Sequence, residues 1–147
     1  MCIGHSHHHK QLIPNYIVAI TNLYGLLSLY YVTLTHERLL IINAIVASIL
    51  CHLADTKRGL PGVAYLNSNP QMWLNYDRVS AVSLFIYMCV AHPQQSLHII
   101  QTTLYPIIAV VCTAIPETIE RHNVTIFVIC HSIWHIFAFH CVLLVLS

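Results

Sequence analysis

The sequence predicts an all-α protein, a multi-pass transmembrane bundle of about five helices, and three observations predict it. Hydrophobic residues make up 57% of the 147-residue chain and charged residues only 7%, against about 25% charged in an ordinary soluble domain. So few charges cannot build a water-facing surface, and lipid must cover much of the molecule. The apolar residues run continuously instead of alternating with polar ones, which selects helices over strands. In a hydrocarbon core only helices and closed barrels satisfy their own backbone groups. The length accommodates one domain, expected over residues 11–147 behind a polar, His-rich tail at residues 1–10.

The tail, MCIGHSHHHK, carries His5, His7, His8 and His9 and reads as a disordered end that could collect metal loosely. The first apolar segment runs from about Leu12 to Leu34. It is too long for a signal peptide and lacks a small-residue cleavage site, so it reads as a retained helix. The second runs from about Leu39 to Ala54 and is short. A polar loop follows from Asp55 to Asn75, broken by Gly59, Pro61, Gly62 and Pro70. The third segment, about Met72 to Ala91, opens on the polar string NYDR. The fourth, about Leu97 to Ile115, has Pro106 inside it. The fifth, Val124 to Leu146, is long enough to span unaided, a spanning helix needing about 20 apolar residues.

With five spans, Lys10, Lys57, Arg58, Arg78 and Arg121 fall on one side and Arg38 alone on the other. The positive-inside rule then places the N-terminus and the 55–75 loop in the cytoplasm. The sequon Asn123-Val124-Thr125 lies on that same side but abuts a membrane helix, where glycosylation is hindered. An integral membrane protein of the plasma membrane or of the ER and Golgi is expected.

The net charge of +1 makes no general case for a nucleic-acid partner. Six cysteines, Cys2, Cys51, Cys89, Cys112, Cys130 and Cys141, form no CxxC pair and read as small buried hydrophobes. The unusual count is 12 His against 6 Lys plus Arg. Histidine is a poor lipid-facing residue, so His inside apolar segments points to a site.

Ser48 and His52 are four residues apart near the end of the second segment and share one helix face, as His131 and His135 do in the fifth. Asp77 opens the third segment. With five alternating spans all five residues fall in the same third of the bilayer, His131 about 10 Å deep at 1.5 Å per residue. Two His at i and i+4 can bind one ion, and a third from a neighbouring helix completes three nitrogen ligands. The fourth position is left for water, the pattern of a catalytic zinc site. Zinc lowers the pKa of its water to about 7. Asp77 could accept that water's proton, and Ser48 could hydrogen-bond a developing oxyanion. Asp55 is the rival carboxylate. His92, His98, His122 and His140 read as interfacial or packing residues. A haem site is disfavoured because His131 and His135 share one face, whereas haem takes its two axial ligands from opposite sides.

The string SILCHLAD, residues 48–55, resembles the Ser-x-x-x-His motif of the CREST superfamily of membrane hydrolases. HSIWH, residues 131–135, resembles its final-helix HxxxH motif, and is closest in wording to the myomaker-like branch. NYDR places Asp77 where the superfamily carries its third-helix Asp. That superfamily includes alkaline ceramidases, adiponectin and progestin receptors, and enzymes that remodel GPI anchors. The resemblance implies zinc on His52, His131 and His135 with Ser48 and Asp77 beside it. The family has seven membrane helices and this chain about five, so it reads as a shortened form. The expected function is a membrane-embedded, zinc-dependent hydrolase of a lipid amide or ester. The alternative is a non-catalytic, myomaker-like protein that remodels or fuses membranes and uses its metal as a structural clamp.

Overall fold

The computed structural model describes residues 4–57, 60–102 and 123–147. These residues form α1 (Gly4–Thr21), a 3-10 segment (Asn22–Tyr30), α2 (Thr35–Ala54), α3 (Pro70–Ala91), α4 (Pro93–Thr102) and α5 (Val124–Leu146), with no strand among the described residues. Three stretches are long and apolar enough to cross a membrane: Leu12–Tyr30, Thr35–Ala54 and Val124–Leu146. α3 has 22 residues but falls outside that set, with the polar Asn75–Arg78 string near its start. The expected fourth segment is helical as far as Thr102. Its remainder, with Pro106, lies outside the described residues. So do Cys2, Arg58, Gly59, Cys112, Arg121 and His122, and the side chains of His5, His7, His8, His9 and Lys10.

The helix starts follow from local chemistry. Asn69 caps α3 by accepting the Met72 N–H, with Pro70 in the first turn, where its missing N–H costs nothing. Asn123 caps α5, its Oδ1 accepting the N–H groups of Thr125 and Ile126. Backbone helix reaches back to Gly4, into the stretch expected to be a disordered tail.

The first apolar segment is not one α-helix. The Thr21 hydroxyl donates to the Val18 carbonyl at 2.6 Å, and Asn22 Nδ2 donates to the carbonyls of Val18 and Ala19 at 3.2 and 3.4 Å. Such side-chain donors compete for carbonyls that an α-helix uses itself. The chain tightens at this point into nine residues of 3-10 helix, longer than the usual three or four. Side chains three apart eclipse in that geometry, so Asn22, Gly25 and Ser28 form one face, and all three are buried. Gly25 is required there. A Cβ would sit 2.6 Å from Phe139 Cδ1 and 2.9 Å from Ile45 Cδ1, so α2 and α5 both close onto this point.

α2 packs on α3, α1 and the 3-10 segment, and α5 packs on α1, the 3-10 segment and α4. The contacts fix the helix directions. Thr21 meets His135 and Tyr24 meets His140, so numbering rises together and α1 runs parallel to α5. Asn43 donates to Ser80 at 2.9 Å, and Tyr87 donates to Glu37 at 3.1 Å, so α2 and α3 are antiparallel. α3 thus accompanies α2 along most of its length. An apolar core of Val32, Ile41, Ala44, Ile45, Leu84, Met88, Ile99, Phe139 and Val145 fills the half of the bundle towards Glu37. A smaller cluster of Val18, Leu60 and Phe127 closes the other half.

Glu37 is a buried carboxylate, 3% exposed. A charge in that position is tolerated only with partners. Its Oε1 accepts from Tyr87 at 3.1 Å and faces His92 Nε2 at 2.9 Å. His92 is also the cap between α3 and α4, so this one carboxylate ties the start of α2 to the α3–α4 joint. His92 was expected to be interfacial or packing; its role here is more specific.

Candidate metal centre

Two helix faces build the centre. On α2, Ile45, Ser48 and His52 lie on one face, and all three are buried. On α5, Phe127, His131, His135 and Phe139 repeat every four residues, so they form one stripe, of which Phe127, His135 and Phe139 are buried and His131 is half-buried. Phe139 belongs to the layer that meets Gly25 and Ile45 below the site. Phe127 covers the other end, its ring 5.1 Å from the His131 ring and 6.4 Å from the His52 ring by centroid. The two Phe enclose the two His within one apolar stripe.

Between these faces His52, His131 and His135 converge. Their candidate ligand atoms all lie within 4.8 Å of one another, and the ring centroids are 4.7 to 5.1 Å apart. His52 Nε2 and His135 Nε2 face each other at 3.1 Å. Tetrahedral zinc with Zn–N bonds of about 2.0–2.1 Å separates two ligand nitrogens by about 3.3–3.4 Å. That pair already has nearly this spacing, and the outer limit of the group, 4.8 Å, is about 1.5 Å wider. Three imidazoles are also a donor set that zinc favours. This group of three His could hold a metal ion.

Ser48 Oγ lies 3.4 Å from His135 Nε2, and Asp77 on α3 lies near the Ser48 side chain. Asp77 is half-buried and stands outside the group of converging ligand atoms. The rival, Asp55, closes the end of α2: its Oδ1 accepts the Lys57 N–H at 2.9 Å, and its carbonyl accepts Asn15 Nδ2 at 2.9 Å. His140 hydrogen-bonds the Tyr24 hydroxyl at 3.0 Å.

Thr21, whose Oγ1 lies 3.1 Å from His135 Nδ1, is not among the site residues expected from the sequence; its one signal there is a hydroxyl residue next to Asn22 in an otherwise apolar run. Phe127 and Phe139 are also absent from that expectation, although their four-residue spacing from His131 and His135 marks them.

No family model matches the sequence, and no curated protein or solved structure is significantly similar to it.

Proposed function

We propose that this chain is a multi-pass membrane protein and a zinc-dependent hydrolase of a lipid amide or ester, a shortened relative of the CREST hydrolases. The observation that carries the reading is the convergence of His52, His131 and His135 with Ser48 and Asp77 alongside. A hydroxyl and a carboxylate beside a three-nitrogen metal group are more than a structural clamp needs. The apolar helices supply the lipid setting.

His52, His131 and His135 would hold the ion. Zinc in that position supplies Lewis acidity, polarising a carbonyl and acidifying a water molecule. The protein groups do the rest. Asp77 takes up the proton that the attacking water loses as it adds to the carbonyl carbon. Ser48 donates its hydroxyl hydrogen bond to the oxygen on which negative charge develops. Phe127 and the Phe139–Ile45–Gly25 layer keep bulk water away from both ends.

The test is fatty-acid release from ceramide and from phospholipid in detergent micelles. Release should be lost on chelation, restored by zinc and absent from His135→Ala. Zinc binding without release from any lipid would favour the myomaker-like, non-catalytic reading.

A further inference from the structure

The second contact of His135 decides which of its nitrogens is available. Thr21 Oγ1 and the Val18 carbonyl oxygen are 2.6 Å apart. Two oxygens so close share a hydrogen, and a carbonyl has none to give. The single hydroxyl hydrogen of Thr21 therefore points at Val18. Thr21 Oγ1 also lies 3.1 Å from His135 Nδ1, and in that contact it can only accept. The hydrogen there belongs to His135 Nδ1. A neutral imidazole protonated at Nδ1 carries its lone pair at Nε2, and Nε2 is the atom that faces His52 and Ser48.

We infer that Thr21 is the positioning residue of the metal centre, holding His135 as the Nδ1–H tautomer so that Nε2 is presented as a ligand. The inference rests on the three-His reading and adds a residue to it. The placement of Thr21 follows from the helix transition. It is the last residue of α1, and its bond to Val18 is part of what turns the chain into the 3-10 segment. That turn aims the hydroxyl at α5. Metal-ligating His commonly donates its other N–H to such a partner, and losing the partner typically costs about 10- to 100-fold in metal affinity.

The experiment uses the full chain in detergent, with Thr21→Val and Thr21→Ser beside it. Val keeps the shape and removes the acceptor; Ser keeps the acceptor. The 15N shifts of His135 in metal-free protein report which ring nitrogen carries the hydrogen. Competition titration with Zn2+ reports affinity. The expected result is an Nδ1–H ring in the unmutated protein and in Thr21→Ser, with loss of that single tautomer and a 10- to 100-fold weaker zinc site in Thr21→Val. An Nε2–H ring in the unmutated protein, or equal zinc affinity in Thr21→Val, overturns the assignment. Absence of zinc from all three proteins would instead sink the three-His reading, and the nitrogen shifts alone would still decide whether Thr21 sets the tautomer.

Discussion

His52 Nε2 and His135 Nε2 lie 3.1 Å apart across the space between α2 and α5. They are 83 residues apart in sequence, and only the packing of both helices on the first segment brings them together. Two neutral imidazoles meeting through the same atom satisfy one another poorly unless one donates or a cation takes both lone pairs. The expected outcome is one zinc ion more per chain in the unmutated protein than in His135→Ala. Taking the difference cancels whatever the His5–His9 tail collects. Elemental analysis of protein purified without chelators measures it; equal zinc in the two proteins would end the three-His reading.

Asp77 lies near Ser48 and is not one of the converging ligands. Asp77→Asn should therefore keep zinc and lose about 10²- to 10⁴-fold in hydrolysis, the usual contribution of a general base. His52→Ala should lose metal and hydrolysis together. Asp55→Asn is expected to change little, because that carboxylate closes the end of α2 on Lys57. Full hydrolysis in Asp77→Asn, with loss in Asp55→Asn, would reassign the base.

The site was legible where its chemistry is local. Ser48 with His52 and His131 with His135 are helix-spaced pairs, and periodicity alone puts each pair on one face. Thr21 was not legible, because its meaning lies in a contact 114 residues away. The 3-10 turn was hidden for a related reason. Asn22–Tyr30 continues a stretch apolar enough to cross a membrane, and the side-chain bonds of Thr21 and Asn22 to Val18 and Ala19 mark where its winding changes. Glu37 is not legible because the apolar run begins only at Leu39, whereas α2 begins at Thr35 and buries this carboxylate in its first turn. Its partners Tyr87 and His92 are 50 and 55 residues away.

That buried carboxylate makes its own prediction. Glu37 lies 15 residues before His52, about 22 Å along α2 at 1.5 Å per residue. His92→Ala removes one of its hydrogen-bond partners and leaves Tyr87. A hydrogen bond to a charged group contributes about 1.5–3 kcal/mol, so the variant should unfold at lower temperature in detergent. Zinc content should not change, because the centre is at the other end of the helix. Zinc loss in this variant, with no change in thermal unfolding, would contradict the separation of the two networks.

Gly25 makes a stricter prediction about packing. A methyl group there meets the Phe139 ring at 2.6 and 2.7 Å and Ile45 at 2.9 Å, so something must move. Overpacking of this kind typically costs about 1–3 kcal/mol. Phe139 is one turn from His135 on the same stripe, so Gly25→Ala should lower thermal stability and weaken zinc binding together. Gly25→Ala with unmoved stability would mean that the 3-10 segment and α5 are less closely packed than the Phe139 contact requires.

The last prediction concerns topology, and it follows from the parallel course of α1 and α5. Thr21 pairs with His135 and Tyr24 with His140, so the start of α1 and the start of α5 lie at one end of the bundle. If both helices cross the bilayer, the N-terminus and the C-terminus are on opposite sides. α2 returns from the far end, since His52 near its finish meets His135 while Glu37 near its start meets His92. The loop after α2 would then share the side of the N-terminus. The sequence expectation assigns Lys10, Lys57, Arg58, Arg78 and Arg121 to that side against Arg38 on the other, a bias that would put it in the cytoplasm. Asn123 begins α5 on that side, so the sequon is expected to stay unglycosylated. Single cysteines introduced by Ser6→Cys and by Ser147→Cys, in a chain whose six native cysteines are replaced, test this with an impermeant maleimide on sealed vesicles. The two positions should react from opposite faces. Labelling of both from one face would mean an even number of crossings, and α1 and α5 could not then both span in parallel.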